Sequence, residues 1–349
     1  MPPFKIALLL EQEGACGLWA PSGVACTRLA VHELNHAGGV LGRETEAVIV
    51  NLGSGARQAV EATNFAIEVE QVDAIVGMFP SYARALVSEV IDRRVPYIYT
   101  PQFEGYEADQ SVVTTGETTA ELLAPALAWL SEYKRARRHF LCGSDYIWPR
   151  MSFAEARHAI RDNGGTVTGE YLMSIGDRDY GRLLNAIRQS HSDMVVSYFL
   201  GEEAIHFNRA FAEAGLAGKM LRFSTAIEET IVYGLGEDAT ENLYVSSAYF
   251  SSLRSRNNGA FLERYHTTFG ETPPPVNGFG ESCYEGVHCL ASLVEEAGVA
   301  QASEIRRAIG RTVQQRTARG NHVSPVVGAR QQVHLARVDG YDFTVVTSL

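Results

Sequence analysis

The chain nowhere reaches the roughly 18 consecutive apolar residues that a membrane-spanning helix needs, so a transmembrane reading drops out first. Positive charge is also scarce: 30 lysines and arginines face 41 aspartates and glutamates, a formal net charge of −11 at pH 7. Phosphates call for a basic surface, so direct nucleic-acid binding is not expected. The balance suits a neutral ligand or a basic protein partner. Cysteine is sparse as well. Cys16, Cys26, Cys142, Cys283 and Cys289 are odd in number and contain no C-x-x-C, which reads as reduced thiols in a cytosolic protein. The loops of common enzymes are missing too: there is no G-x-S-x-G elbow, no Walker A loop and no G-x-G-x-x-G after a strand, and Gly53-Ser54-Gly55 lacks the elbow spacing. The expected class is not an enzyme, and no cofactor is called for.

What is present is a chain of 349 residues, 46% hydrophobic, long enough for two domains with a core each. Met1-Pro2-Pro3-Phe4-Lys5-Ile6-Ala7 runs straight into a strand-like apolar stretch, without the charged start and cleavage site of an export signal. The expectation is a cytoplasmic protein, or an exported one whose signal has been removed.

One segment carries two incompatible meanings. His32, Glu33 and His36 spell H-E-x-x-H, the spacing that sets two imidazoles one helical turn apart on a zinc ion, with the Glu acting on bound water. Gly39 extends the pattern toward the longer metzincin form, but the third histidine of that form falls on Gly42. Two imidazoles alone leave zinc under-coordinated. At roughly 100° per residue, Val24, Cys26, Ala30, Val31, Leu34 and Ala37 share one arc, and His32 and His36 lie opposite with Arg28. The motif therefore reads as the polar side of an amphipathic helix ended by Gly38-Gly39, and no metal is expected.

Strand and helix patterns alternate from the start, the mark of an α/β chain with parallel sheets. Strands are expected at 5–10, 46–51, 74–79 and 97–100, with helices at 22–36, 56–70 and 82–93 between them. A second series starts with a helix at 119–133, and has strands at 138–142, 167–173, 194–200 and 220–224 and helices at 151–163, 180–189 and 202–214. After a strand near 244–252, helices at 259–269, 281–297 and 303–313 follow with few strands, so they are best packed back on the first sheet. A hairpin around Asp339-Gly340 ends the chain. The fold expected is two doubly wound α/β lobes with a central ligand cleft: 1–117 plus 251–325, and 118–250 plus 326–349.

Ligands of such folds bind at the carboxyl ends of the strands. Three turns fall there: Pro80-Ser81-Tyr82, Pro101 to Tyr106, and Gly143 to Arg150. They are rich in aromatics and hydroxyls and read as poor in paired charges, a mixture suited to a small, mostly neutral polar ligand.

These residues also resemble a known family. Leu34-Asn35 with Gly38-Gly39-Val40 and Gly42, Phe103-Glu104-Gly105-Tyr106-Glu107, Gly143 to Arg150, and Tyr249-Phe250-Ser251-Ser252 are similar to segments of type I periplasmic-binding-protein folds. The nearest likeness is to the AmiC-type amide sensors, negative regulators of aliphatic amidase operons, over residues 4 to 300. The resemblance implies that Ser81 binds an amide through its hydroxyl, and that Tyr99, Tyr146 and Trp148 line the same pocket. It also shows departures: Phe79 and Trp148 stand where that family has tyrosine, and Thr100-Pro101-Gln102 where it has Pro-Thr-Pro. Indole donates but does not accept, while Gln102 offers an amide of its own. The implied partner is a transcription antitermination protein, released when amide binds. A homodimer or higher oligomer stays open.

Each candidate has a plainer role. Ser81 suits the cap of a helix starting at Tyr82, Tyr146 and Trp148 suit packing between lobes, and Cys283 and Cys289 suit a helix core. Glu228, Glu229 and the pair Glu202-Glu203 follow strands and either reach the ligand or sit solvated at helix starts. The function expected is a receptor that closes on an amide-like molecule and regulates amidase or nitrile-degradation genes. The alternative is the solute-binding component of an ABC importer for urea, short amides or branched amino acids.

Overall fold

Strand β1 (Phe4–Leu10) is apolar apart from Lys5, and six of its seven residues are buried, as expected for a central strand of a parallel sheet covered on both faces. It pairs in parallel with β2 (Thr45–Asn51) and β3 (Ala74–Met78). Beyond β3 come β4 (Tyr97–Tyr99) and β5 (Val112–Thr114), giving the order β2-β1-β3-β4-β5. Helices α1 (Ala20–His36), α2 (Ala56–Asn64) and α3 (Arg84–Ile91) connect these strands. The expected helix 56–70 divides, its last turn being a π-helix at Phe65–Val69. Three residues show no period, so β5 had no signal in the sequence.

The computed structural model describes residues 1–105, 107, 109–311, 317–319 and 332–349. They form two units: Met1–Glu117 with Arg254–Gln331, and Thr118–Leu253 with Gln332–Leu349. Tyr106, the end of the expected helix 303–313, the expected lobe boundary at 325/326 and Gln331 fall outside the described residues.

The second unit opens on α4 (Thr119–Tyr133), started by a capping box in which Thr118 and Glu121 satisfy each other's backbone N–H. Its strands are β6 (Arg138–Ser144), β7 (Thr166–Met173), β8 (Met194–Tyr198), β9 (Leu221–Ser224), β10 (Leu243–Ser247), β11 (His334–Asp339) and β12 (Asp342–Ser348), in the order β12-β11-β10-β9-β8-β6-β7. Pairing is parallel up to β10, and β11 and β12 add an antiparallel hairpin. The two edge strands β7 and β12 alternate more and less exposed residues, whereas β8 is buried throughout. Helices α5 (Ile147–Asp162), α6 (Gly181–Ser190), α7 (Gly201–Glu213) and α8 (Glu229–Leu235) fill the connections. No helix among the described residues is long and apolar enough to cross a membrane.

Helices α9 (Arg256–Phe269), α10 (Gly278–Ala297) and α11 (Ala302–Ala308) return to the first unit. Helix α10 packs on α1 and on β3 and β4. A Cβ at Gly280 would lie 2.0 Å from Oγ of Ser22 and 2.9 Å from its carbonyl carbon, so only glycine lets the helices approach this closely. The α1 turn that follows needs glycine for another reason: Gly38, Gly39 and Gly42 all have positive φ.

This seam corrects the reading of H-E-x-x-H. His32 and His36 are exposed, with His36 Nδ1 2.9 Å from the His32 carbonyl oxygen. Glu33, however, is buried on the face that meets α10. Arg264 donates to its Oε1 at 2.6 Å, the Tyr284 hydroxyl donates to Oε2 at 2.7 Å, and His288 Nε2 lies 3.1 Å from Oε2. Burial pushes the carboxyl up, but hydrogen bonds from His288, Tyr284 and Arg264 outweigh it and hold the pKa at about 2. A carboxylate so engaged cannot act as a base toward a metal-bound water.

Because the folded pKa lies below the usual 4.5, the stability Glu33 contributes is full above that pH and is lost as pH falls toward 2. Glu33→Gln should cost about 3 kcal/mol at pH 7. In urea unfolding the gap to wild type should narrow as pH drops from 5 toward 3, and a constant gap would contradict the assignment. The double variant His32→Gln/His36→Gln should melt within about 1 °C of wild type, since neither ring is buried; a larger loss by calorimetry would give these histidines a structural role.

Candidate functional site

On the first unit, β1, β3 and β4 run parallel and side by side, with Leu10 opposite Met78 and Gly77 opposite Tyr99. The segments after them therefore share one carboxyl edge: Glu11-Gln12, Phe79 to Tyr82, and Thr100 to Gln102. Helix α3 begins at Arg84 and its cap position is Ala83, so Ser81 is not the cap of a helix starting at Tyr82. Ser81 is buried, and its hydroxyl has no hydrogen-bond partner among the described residues.

Beside it the Tyr82 hydroxyl donates to the carboxylate of Glu11. Glu11 is 1% exposed, and burial lifts its pKa to about 7 against the opposing hydrogen bonds from Tyr82 and Cys16. Sequence reading missed Glu11, although an acidic residue closing the apolar run Ile6 to Leu10 at the carboxyl edge was a usable signal.

Phe79 and Tyr99 are fully buried core residues of this unit, packed edge to face at 5.5 Å. The Tyr99 hydroxyl donates to the Phe79 carbonyl at 2.7 Å, so its polar atom is already used. Pro101 is buried, and its carbonyl oxygen lies 2.1 Å from where a Cβ on Gly116 would stand. Gln102 is half-buried. The expectation of few paired charges fails here. Arg84 pairs with Glu104 at 2.5 Å and Glu107 at 2.7 Å and lies over the rings of Tyr99 and Phe103, pinning the loop after β4 to α3.

On the second unit, β6 and β8 put Gly143 opposite Tyr198, and the following segments form that sheet's carboxyl edge. Tyr146 is the extended residue before α5, and Pro149 falls in the first turn of that helix, which starts four residues earlier than expected. Asp145 pairs with Arg150 at 2.6 Å. Trp148 is 3% exposed, packs edge-on against Tyr198 at 5.5 Å and lies 6.3 Å from Tyr146. Its indole Nε1 is buried without a hydrogen-bond partner among the described residues, a costly arrangement for a donor.

Three of the four carboxylates expected at helix starts here, Glu228, Glu229 and Glu203, are engaged by hydrogen bonds. Glu228 is buried and caps α8, accepting from the N–H of Thr230 at 2.7 Å and of Ile231 at 3.1 Å. Glu229 accepts from Ser251 N–H at 2.6 Å. Burial first, and then the Glu228 charge, push it up to about 8, so it is mostly protonated at neutral pH. Glu203 accepts from the Ser144 hydroxyl and, at 2.6 Å, from Gly176 N–H. Glu202 is exposed and reaches Arg178 at 3.3 Å. Helix α8 is too short to announce itself, so the sequence could not tell a buried cap from a solvated pair.

Among the described residues no cluster of three or more His, Cys, Asp and Glu is arranged to hold a metal. All five cysteines are buried and outside disulfides, and Cys283 and Cys289 lie in the α10 core as expected. What both edges offer is hydroxyl, indole and carboxyl groups at strand ends.

Residues 3–339 match the family model described as periplasmic binding protein. The fold is shared with the leucine-binding protein LivK of Thermotoga maritima, at TM-score 0.86 and 19% identity over 99% of this chain and 98% of that one. The branched-chain amino acid transporter substrate-binding protein LivJ of Streptococcus pneumoniae, solved with isoleucine, gives 0.84 and 19% over 99% and 98%. An ABC transporter solute-binding protein of R. palustris, in complex with 4-hydroxybenzoate, gives 0.85 and 21% over 99% and 96%. The cytoplasmic location expected from the cysteines finds no support in such a family. With its mixed α/β sheets of type I architecture and a model match over nearly its whole length, the chain belongs to the periplasmic binding protein family.

Proposed function

We propose that this protein is the solute-binding component of an ABC importer, working in the periplasm on a small organic ligand. The family match over residues 3–339 supports it, as does the likeness to solute-binding proteins that hold isoleucine or 4-hydroxybenzoate. The observation that carries the site is the Trp148 indole N–H, buried with no acceptor among the described residues. A ligand oxygen placed there removes an unsatisfied donor, which favours binding. Tyr146 beside it supplies an aromatic wall. On the first unit, Ser81 offers an uncommitted hydroxyl at the carboxyl edge, with Pro101 and Gln102 next to it. Phe79 and Tyr99 support that edge from the core, and Glu228 holds the start of α8 in place. This ligand is amino-acid-like or an aromatic acid, with urea and short amides as the simplest members of the range.

A second reading, an amide sensor acting through an antitermination protein, rests on the loops Phe103 to Glu107 and Gly143 to Arg150 that resemble those sensors. Calorimetric titration with branched-chain amino acids, benzoates, short amides and urea separates the two. The importer reading expects tight binding of an amino acid or benzoate, and a response to amides alone would favour the sensor. Trp148→Phe keeps the ring and removes the donor, so affinity for the bound ligand should fall about tenfold, as for one lost hydrogen bond. Ser81→Ala should weaken it by a similar factor. Unchanged affinity in both variants would remove these residues from the site.

A further inference from the structure

The amino edge of the first sheet carries charge that the ligand-binding reading does not use. Arg93 and Arg94 precede β4, and Gln110 and Ser111 precede β5; the two strands run parallel, so these segments share the edge opposite Ser81 and Pro101. With α11 they line a groove of about 810 Å³. Its lining includes Arg93, Arg94, Arg306 and Arg307 and, among the described residues, no carboxylate, on a protein whose net charge is −11.

Two of the four guanidinium groups, those of Arg94 and Arg307, have a carboxylate partner outside the groove lining, and Arg93 and Arg306 have no ion pair among the described residues. Arg306 donates to the backbone and side-chain oxygens of Gln110, neutral acceptors that hold it without cancelling its charge. Arg94 donates to the carbonyls of Val90 and Ile91 as well as to Glu68 at 3.2 Å. Arg307 pairs with Glu304 on its own helix. Arg93 is exposed and has no ion-pair partner among the described residues. Asp109 nearby is already held by Ser88 and Ser111.

We propose that this groove docks an acidic segment, rich in aspartate and glutamate, of a partner protein. Guanidinium forks bind carboxylates in pairs. The groove takes its arginines from separate chain segments and is far larger than one phosphate or carboxylate requires, so it fits an extended chain bearing several charges. A local basic surface on an acidic protein also orients such a partner before contact. The receptor reading supplies the reason for a partner, since a receptor has to hand its ligand on. Docking is measured without ligand, so either idea can fail while the other stands.

The test is fluorescence anisotropy of a labelled oligoglutamate peptide with the full chain at low salt, and a serine-glycine peptide of equal length as control. Binding should be specific to oligoglutamate, weaken steeply with added salt, and fall about tenfold in Arg306→Gln/Arg307→Gln. Arg93→Gln, which removes a side chain with no ion pair among the described residues, should weaken it by a smaller factor without changing the melting temperature or solute affinity. Equal binding by all variants, or none by wild type, would overturn the proposal. So would pyrophosphate binding as tightly as the peptide, which would mark a small-anion site, or variant-sensitive binding to phosphatidylglycerol vesicles without peptide binding, which would mark a membrane surface.

Discussion

One buried carboxylate, Glu33, joins two stretches of chain that are far apart in sequence. It sits on α1, and its donors Arg264, Tyr284 and His288 come from α9 and α10. The first unit is made of residues on both sides of a long excursion into the second, so it is complete only when the returning helices dock. Hydrophobic contact alone is non-directional. A buried anion that needs three particular donors fixes the register of α10 against α1, and the near-contact of Gly280 with Ser22 fixes their spacing. Helix α10 then braces the sheet from behind, where Gly286 passes close to Thr100 at the end of β4. In this way the seam helps to hold the carboxyl edge that carries Ser81, Pro101 and Gln102.

The two carboxyl edges have a common chemical character. Their acidic groups are committed to backbone N–H groups, as in Glu228 and Glu203, shifted upward by burial, as in Glu11 and Glu229, or paired with arginine, as in Glu104, Asp145 and Glu202. Their uncommitted groups include the Ser81 hydroxyl and the Trp148 indole N–H. Such groups bind by hydrogen bonding and shape.

Much of this was legible in the sequence. Apolar runs such as Lys5 to Leu10 mark buried parallel strands, and the order of strands and helices led to two α/β lobes. The Gly143 to Arg150 loop pointed to the strand-end turn that holds Tyr146 and Trp148. What was hidden depended on partners distant in the chain. Glu33 looked like part of a polar helix face because its three donors lie more than 230 positions away. Tyr99 was assigned to the pocket by resemblance, and nothing local in the sequence shows that its hydroxyl donates to the Phe79 carbonyl. Strand β5 and helix α8 were too short for periodicity to register.

The central claim is that the protein binds a small molecule and leaves it unchanged. Equilibrium dialysis against isotope-labelled candidate solutes, followed by denaturation and mass spectrometry of what is released, tests it directly. The account predicts that the bound solute is recovered intact and never in excess over protein. Solute converted to a new product in amounts that grow with time would contradict it.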